Sequence, residues 1–301
     1  MENDVRTNSF RAWLLASRPK TLTAASVPVM AGSALAAADL GTGFQAWPAV
    51  LCFLFAFIMQ IDSNLVNDYF DFRKGSDRAD RLGPERACAQ GWITPRAMLG
   101  GIAVTTLLAC LVGLPLLCYG GWELLAVGAV CVVFAFLYTL GLSYRGWGDV
   151  LVLVFFGLVP TGFTYYIQTG AWTWAATVSA LACGLVIDTL LMVNNYRDRE
   201  QDRVSGKRTV VVRWGARAGS TAYLLLGFLA CLGCLSLVGG GYLWAAILPQ
   251  LYLLPHIRTW NLMVGIHRGK ALNRVLGLTA RNIFLFGLLL GGGFLLHLLV
   301  A

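Results

Sequence analysis

The segment NDYFDFRKGSD, residues 67–77, follows a long apolar run and gathers three carboxylates and an asparagine at its end. Its placement decides the fold. The chain around it is 57% hydrophobic and only 13% charged over 301 residues, too little polar surface to clothe a water-soluble globule. The acidic segment is therefore read as the polar end of a helix that crosses a bilayer. A crossing needs about 20 apolar residues, and nine stretches qualify: 22–38, 48–66, 97–118, 122–140, 149–168, 174–193, 218–238, 242–260 and 282–300. The expected architecture is an all-α integral membrane bundle of nine transmembrane helices in one domain, 1–301. The first stretch is short and contains Pro28, so it is expected either to kink or to continue backwards through Trp13–Ser17.

Charge orients the bundle. The 23 Lys and Arg lie near the N-terminus, as in Arg6, Arg11, Arg18 and Lys20, or at and beyond the ends of the even-numbered spans. Under the positive-inside rule the N-terminus and those loops are cytoplasmic and the C-terminus lies across the membrane. Basic residues confined to one face are explained by topology and by anionic lipid or phosphate, so the net charge of +8 does not point to nucleic acid. The eight cysteines lie mostly within apolar spans. Cys231 and Cys234 form a lone CxxC with no second pair, which fits helix packing better than a metal site. The N-terminus lacks the apolar core and cleavage pattern of a signal peptide.

If the second span continues helically through Asp71, then Asn64, Asp68 and Asp71 share one face, with Asn67 flanking it. The sixth span ends MVNNYRDREQDRVSGKRT and places Asn194, Asp198 and Asp202 at intervals of four, with Asn195 one turn before Asp198. Both clusters exit on the same side and are expected to oppose each other across one cavity. Unpaired carboxylates at a membrane boundary repel one another unless a cation sits between them. Hard oxygen donors suit Mg2+, which takes one or two carboxylates plus substrate phosphates and water. Each cluster travels with bases: Arg73, Lys74, Arg78 and Arg81 beside the first, Arg197, Arg203, Lys207 and Arg208 beside the second. Metal-holding acids with oxyanion-holding bases describe a diphosphate site. A prenyl diphosphate would set its head at the rim and its tail in the apolar interior. Ionisation would leave an allylic cation, for which the rings of Tyr69, Tyr138 and Tyr196 are candidate stabilisers. Tyrosines also serve as ordinary interface anchors.

NDYFDFRKGSD with DRLGPERACAQGWITP, the pair NNYRDREQD and GKRTVVVRWG, LLASRPKTL, YYIQTG at 165–170 and LNRVLGLTAR at 272–281 together resemble the UbiA superfamily of intramembrane prenyltransferases. The likeness is greatest to its branch acting on 1,4-dihydroxy-2-naphthoate in menaquinone synthesis. The resemblance implies metal and diphosphate binding by Asn67, Asp68 and Asp71 of an NDxxDxxxD motif and by Asp198 and Asp202 of a DxxxD motif. Where the motif expects its fourth acid stands Gly75, with Asp77 two residues on as a further candidate ligand. Lys20, Lys207 and Arg208 are candidates for diphosphate or acceptor contacts, and Arg145 and Asp149 for the acceptor carboxylate. The implied reaction transfers a polyprenyl group to dihydroxynaphthoate with loss of CO2 and diphosphate, in the cytoplasmic membrane of a bacterium. A different phenolic acceptor, such as 4-hydroxybenzoate or homogentisate, is the alternative within the family. A cation-coupled transporter is the alternative outside it, but both clusters sit at one rim. Of the acids inside apolar spans, Asp188 is expected to line the cavity, and Asp62 is left open between a functional and a structural role. His256, His267 and His297 have no metal-ligand spacing.

Overall fold

A computed structural model of the protein describes residues 5–75 and 81–300, excluding the side chains of Lys20 and Val300. Asp77 and Arg78 lie outside the described residues, and so does the Lys20 side chain. Every regular element described is helical. The chain opens with α1 (Phe10–Ser17), whose N-cap Ser9 accepts the Ala12 amide. Arg18 then adopts φ 51° and Pro19 follows. α1 is thereby separated from α2 (Leu22–Leu40) rather than extending it, because Pro19 offers no amide hydrogen and disfavours a helical residue before it. Pro28 is accommodated inside α2.

The remaining elements are α3 (Ala46–Arg73), α4 (Pro95–Gly120), α5 (Glu123–Leu142), α6 (Gly148–Thr169), α7 (Trp174–Val204), α8 (Val210–Gly240), α9 (residues 243–266) and α10 (Leu272–Val300). Eight of them, α2 to α8 and α10, are long and apolar enough to cross a membrane. The expected span at 242–260 falls in α9. It is helical but divided into α-helical Leu243–Ile247, a 3-10 stretch Leu248–Tyr252 and α-helical Leu253–Ile266. Pro249 and Pro255 each remove a backbone donor there, a break that hydropathy does not register.

α3 and α7 outrun their apolar stretches by several residues, because a helix does not end where its hydrophobicity does. Both acidic motifs therefore ride on continuous helix. α7, capped by Thr173 accepting the Ala176 amide, is the most buried span. α6 crosses it at Gly157, where a Cβ would stand 2.5 Å from the Ala180 carbonyl oxygen and 2.9 Å from the Gly184 Cα. Small residues allow such backbone approach where lipid supplies no hydrophobic drive for helix association. α4 and α5 form the outer wall and expose Leu107, Leu111, Val130 and Val133.

Two polar knots tie the bundle away from the motifs. His256 lies between the rings of Tyr223 and Tyr252, at 4.7 and 5.0 Å, and its Nδ1 meets the Tyr252 hydroxyl at 3.0 Å; the histidine is structural. Near the end of α2, Asp39 accepts from the hydroxyls of Tyr165, at 2.6 Å, and Tyr242.

Candidate active site

Between α2, α3, α4, α5, α6 and α7 runs a cavity of about 660 Å³. Arg18, Asn64, Asn67, Tyr138 and Asn194 furnish its polar end, and side chains such as Leu117, Leu124, Phe156 and Ile167 its apolar length. The asparagines of both motifs thus open onto one space. Asn64 donates to the Ser17 carbonyl at 3.0 Å and the Thr21 hydroxyl at 2.9 Å, which fixes the start of α2 against α3. Asn67 accepts from the Thr139 hydroxyl, and Asn194 donates to the Leu190 carbonyl at 3.1 Å.

At the rim the acids of the two helices flank a lysine. Lys207, in the turn between α7 and α8, stands 3.6 Å from the Asp202 carboxylate. Burial pulls its ammonium down, but the Asp202 carboxylate, followed by Tyr138 and Asp71, more than offsets this and holds its pKa above the ordinary 10.5. Lys207 and Lys74 both lie over the Tyr144 ring, at 5.4 and 4.7 Å. Lys74 donates to the carbonyls of Thr139 and Leu140 at 2.7 and 3.0 Å, capping the π-helical end of α5. Asp71 pairs with Arg86 at 3.2 Å. Asp198 is gripped by Arg197 through two contacts of 2.7 Å.

Asp68 is placed differently from its motif neighbour. Its two oxygens accept the Ala87 and Cys88 amides at 2.8 and 2.9 Å, and it is 1% exposed. It anchors the segment after α3, a task read from no local spacing because the partner lies 19 residues on. Among the three tyrosines, only Tyr138 lines the cavity. Tyr69 packs in a peripheral cluster with Trp13 and Trp92. Tyr196 is buried against Tyr223 and Met263, with its hydroxyl 3.1 Å from His267 Nδ1. Tyr69 and Tyr196, candidates with Tyr138 for steadying the cation, do not line the cavity.

Asp188 is buried, yet its neighbours Ile187, Leu190 and Leu191 line the cavity in its place. Asp62 accepts from the Thr105 and Thr106 hydroxyls on α4, at 2.5 and 3.0 Å, and so joins two helices. Asn195 is buried in α7, while Arg73, Arg145 and Arg208 are exposed. Arg18 and Arg86 were not singled out from sequence. Arg18 reaches the cavity because the chain breaks at its own left-handed backbone, and Arg86 reaches Asp71 through the folded-back 81–94 segment.

The donor set suits a divalent cation shared with a diphosphate. Asp71, Asp198 and Asp202 offer hard carboxylate oxygens from two helices, and Mg2+ needs only one or two of them beside substrate and water. Among the described residues, no three His, Cys, Asp or Glu side chains converge on a single point.

An apolar cavity whose polar end carries asparagines from the ends of two acidic helices suits a ligand with a charged head and a hydrocarbon tail. The UbiA prenyltransferase family matches residues 25–273, and the chain belongs to that family. It is 39% identical over 245 residues to the 1,4-dihydroxy-2-naphthoate octaprenyltransferase of Escherichia coli K12, covering 78% of this chain and 79% of that protein. The enzyme of the same description from Mycobacterium tuberculosis H37Rv is 38% identical over 233 residues, covering 76% and 78%. Among solved structures, a UbiA homologue from Aeropyrum pernix K1 superposes with a TM-score of 0.70 at 16% identity, covering 91% of this chain and 97% of that one. A UbiA homologue from Archaeoglobus fulgidus bound to GPP and Mg2+ superposes at 0.62 and 13% identity, covering 93% and 99%. These two show the fold.

Proposed function

We propose that this prenyltransferase moves a polyprenyl group from its diphosphate to 1,4-dihydroxy-2-naphthoate, releasing diphosphate and CO2 and giving the demethylmenaquinone skeleton. The observation that carries the reading is a single apolar cavity whose mouth is shared by Asn67 and Asn194, one from each acidic motif. Relatives 36–39% identical over most of the chain bear the dihydroxynaphthoate description, which selects the acceptor.

Asp71, Asp198 and Asp202 would hold Mg2+, which when bound supplies Lewis-acid neutralisation of the leaving diphosphate. Lys207 and Arg18 hold the diphosphate oxygens: one faces both motif helices and the other lies at the cavity mouth. The apolar wall seats the isoprenoid and excludes water, so the allylic cation is spent on the ring carbon. The Tyr138 ring offers its π face to that cation at the polar end. The acceptor hydroxyls enrich the attacked carbon in electrons, and loss of the carboxylate as CO2 restores aromaticity after alkylation. The chain sits in the cytoplasmic membrane with its N-terminus and rim on the cytoplasmic side, and the divided α9 makes the ninth crossing. The test is the purified protein in detergent with a polyprenyl diphosphate, Mg2+ and carboxyl-labelled dihydroxynaphthoate. Labelled CO2 and diphosphate appear in equal amounts if the reading holds. Prenylation of 4-hydroxybenzoate or homogentisate in its place overturns the acceptor.

A further inference from the structure

The LNRVLGLTAR stretch at the start of α10 contributes nothing to the cavity lining, yet one of its residues reaches the rim. Asn273 lies in the first turn of α10 and uses both ends of its amide. Its Oδ1 accepts Arg197 Nη1 at 2.9 Å, and its Nδ2 donates to the Leu82 carbonyl at 2.9 Å. Arg197 is 3% exposed and holds both oxygens of Asp198. Next to Leu82, Gly83 lies close against the guanidinium: a Cβ there would stand 2.7 Å from Arg197 Nη2. A few residues later the same segment is bound to the first motif, through Arg86 to Asp71 and through the Ala87 and Cys88 amides to Asp68.

The segment 82–88 is thus stitched to the first motif at one end and to the second motif at the other. The second set of stitches passes through Asn273. Its two hydrogen bonds act on one planar group, so moving the segment moves Arg197, and moving Arg197 moves the carboxylate it grips. An arginine held from two sides keeps its fork in one orientation, which a flexible side chain with a single partner does not.

We propose that Asn273 is a positioning residue that fixes the Arg197–Asp198 pair and straps the 82–88 segment across the diphosphate end of the site. The proposal rests on the prenyl-transfer reading for what the site binds, but not on the identity of the acceptor. Asn273 touches neither substrate in this role. It sets where Asp198 and the strap stand when the charged head arrives. The acceptor ring and the isoprenoid tail meet other residues, so their recognition is untouched.

The experiment compares the full-length wild-type protein with Asn273→Ala, Asn273→Asp and Gly83→Ala in detergent, by two readouts. The first is binding of geranyl diphosphate with Mg2+, measured by calorimetry with no acceptor present, alongside steady-state KM values. Asn273→Ala is expected to weaken geranyl diphosphate binding and raise its KM about tenfold, while the acceptor KM stays within about twofold. The second is trypsin cleavage after Arg81 and Arg86, located by mass spectrometry, which accelerates when the strap is released. Asn273→Asp keeps the acceptor for Arg197 but cannot donate to Leu82; it should retain geranyl diphosphate affinity and still show faster cleavage. Gly83→Ala, which leaves Asn273 in place, should reproduce the affinity loss by displacing Arg197, and it carries the test if Asn273→Ala does not fold. Unchanged affinity in both Asn273→Ala and Gly83→Ala overturns the proposal, as does an equal rise in donor and acceptor KM, the mark of a purely structural defect. A wild-type protein that binds geranyl diphosphate but ignores dihydroxynaphthoate overturns the acceptor assignment and leaves Asn273 in its role.

Discussion

The Asp68 carboxylate accepts the Ala87 amide at 2.8 Å and, through its other oxygen, the Cys88 amide at 2.9 Å. Three residues along the same helix, Asp71 faces Lys207 and Arg86 at the rim. One acidic motif therefore contains an acid that holds the fold while standing 3.9 Å from Arg18 of the cavity mouth, and a second acid at the rim. Removing the first leaves two buried amides without acceptors, at about 1–3 kcal/mol each. Asp68→Ala should lower the stability of the detergent-solubilised protein by about 2–6 kcal/mol in thermal or denaturant unfolding. Asp68→Asn, which keeps one acceptor oxygen, should fall between it and wild type.

Asp71→Asn and Asp198→Asn remove charge from the rim without changing side-chain size. Each should cut kcat/KM at least about 100-fold, since a charge-neutralising contact at a leaving group is worth about 3 kcal/mol or more. Their unfolding midpoints should also fall, because each change takes a carboxylate charge away from a buried guanidinium, Arg86 or Arg197, so activity is read well below both midpoints. Diphosphate release from purified variants measures the first quantity, and a melting curve the second. Activity within about threefold of wild type in both variants would remove the acids from the reaction.

How much of this was legible in the sequence depends on range. The helical placement of Asn64, Asn67, Asp71, Asn194, Asp198 and Asp202 follows from intervals of three and four, because a helix repeats locally. The anchoring role of Asp68 does not, since its partners Ala87 and Cys88 arrive through a folded-back segment. Tyr69 and Tyr196 looked equivalent to Tyr138 because proximity to a motif says nothing about which side of a helix faces the cavity. Hydropathy marks 242–260 as an apolar stretch, but α9 falls outside the eight helices long and apolar enough to cross a membrane, and its division at Pro249 is a backbone property that an apolar average conceals. Arg18 became a cavity residue only through the left-handed turn that parts α1 from α2.

Lys207 has a pKa raised above 10.5, against the pull of burial, by Asp202 first and then by Tyr138 and Asp71. A lysine raised in the folded state contributes fully below 10.5 and is lost only as pH climbs through the higher folded value. Its hold on diphosphate should therefore be flat from about pH 6 to 9. Lys207→Met should weaken prenyl diphosphate binding about 10- to 100-fold at every pH in that window, and any activity change that wild type shows there should persist in the variant. KM against pH for both proteins is the measurement, and a Lys207-dependent step near neutrality would contradict the assignment.

If the Tyr138 ring steadies the allylic cation, its face matters and its hydroxyl does not. Tyr138→Phe should keep turnover within about threefold, whereas Tyr138→Leu should lose about 30-fold, the equivalent of about 2 kcal/mol for a desolvated cation–π contact. Tyr69→Leu, made in the peripheral cluster, should change kcat little. Single-turnover rates with saturating donor separate this chemistry from binding.

The apolar length of the cavity sets which isoprenoid fits. Gly128 lines it from α5 and has nothing within 4 Å of where a Cβ would stand, so a larger side chain is accommodated by the fold and projects into free space. Ten helical residues separate it from Tyr138, which puts it about 15 Å from the polar end. Gly128→Phe should therefore leave geranyl diphosphate turnover within about twofold and depress that of an octaprenyl donor at least about tenfold. The ratio of kcat/KM for the two donors reports this directly. A proportional loss for both chain lengths would mean that the tail does not pass Gly128, and would move its path to another part of the wall.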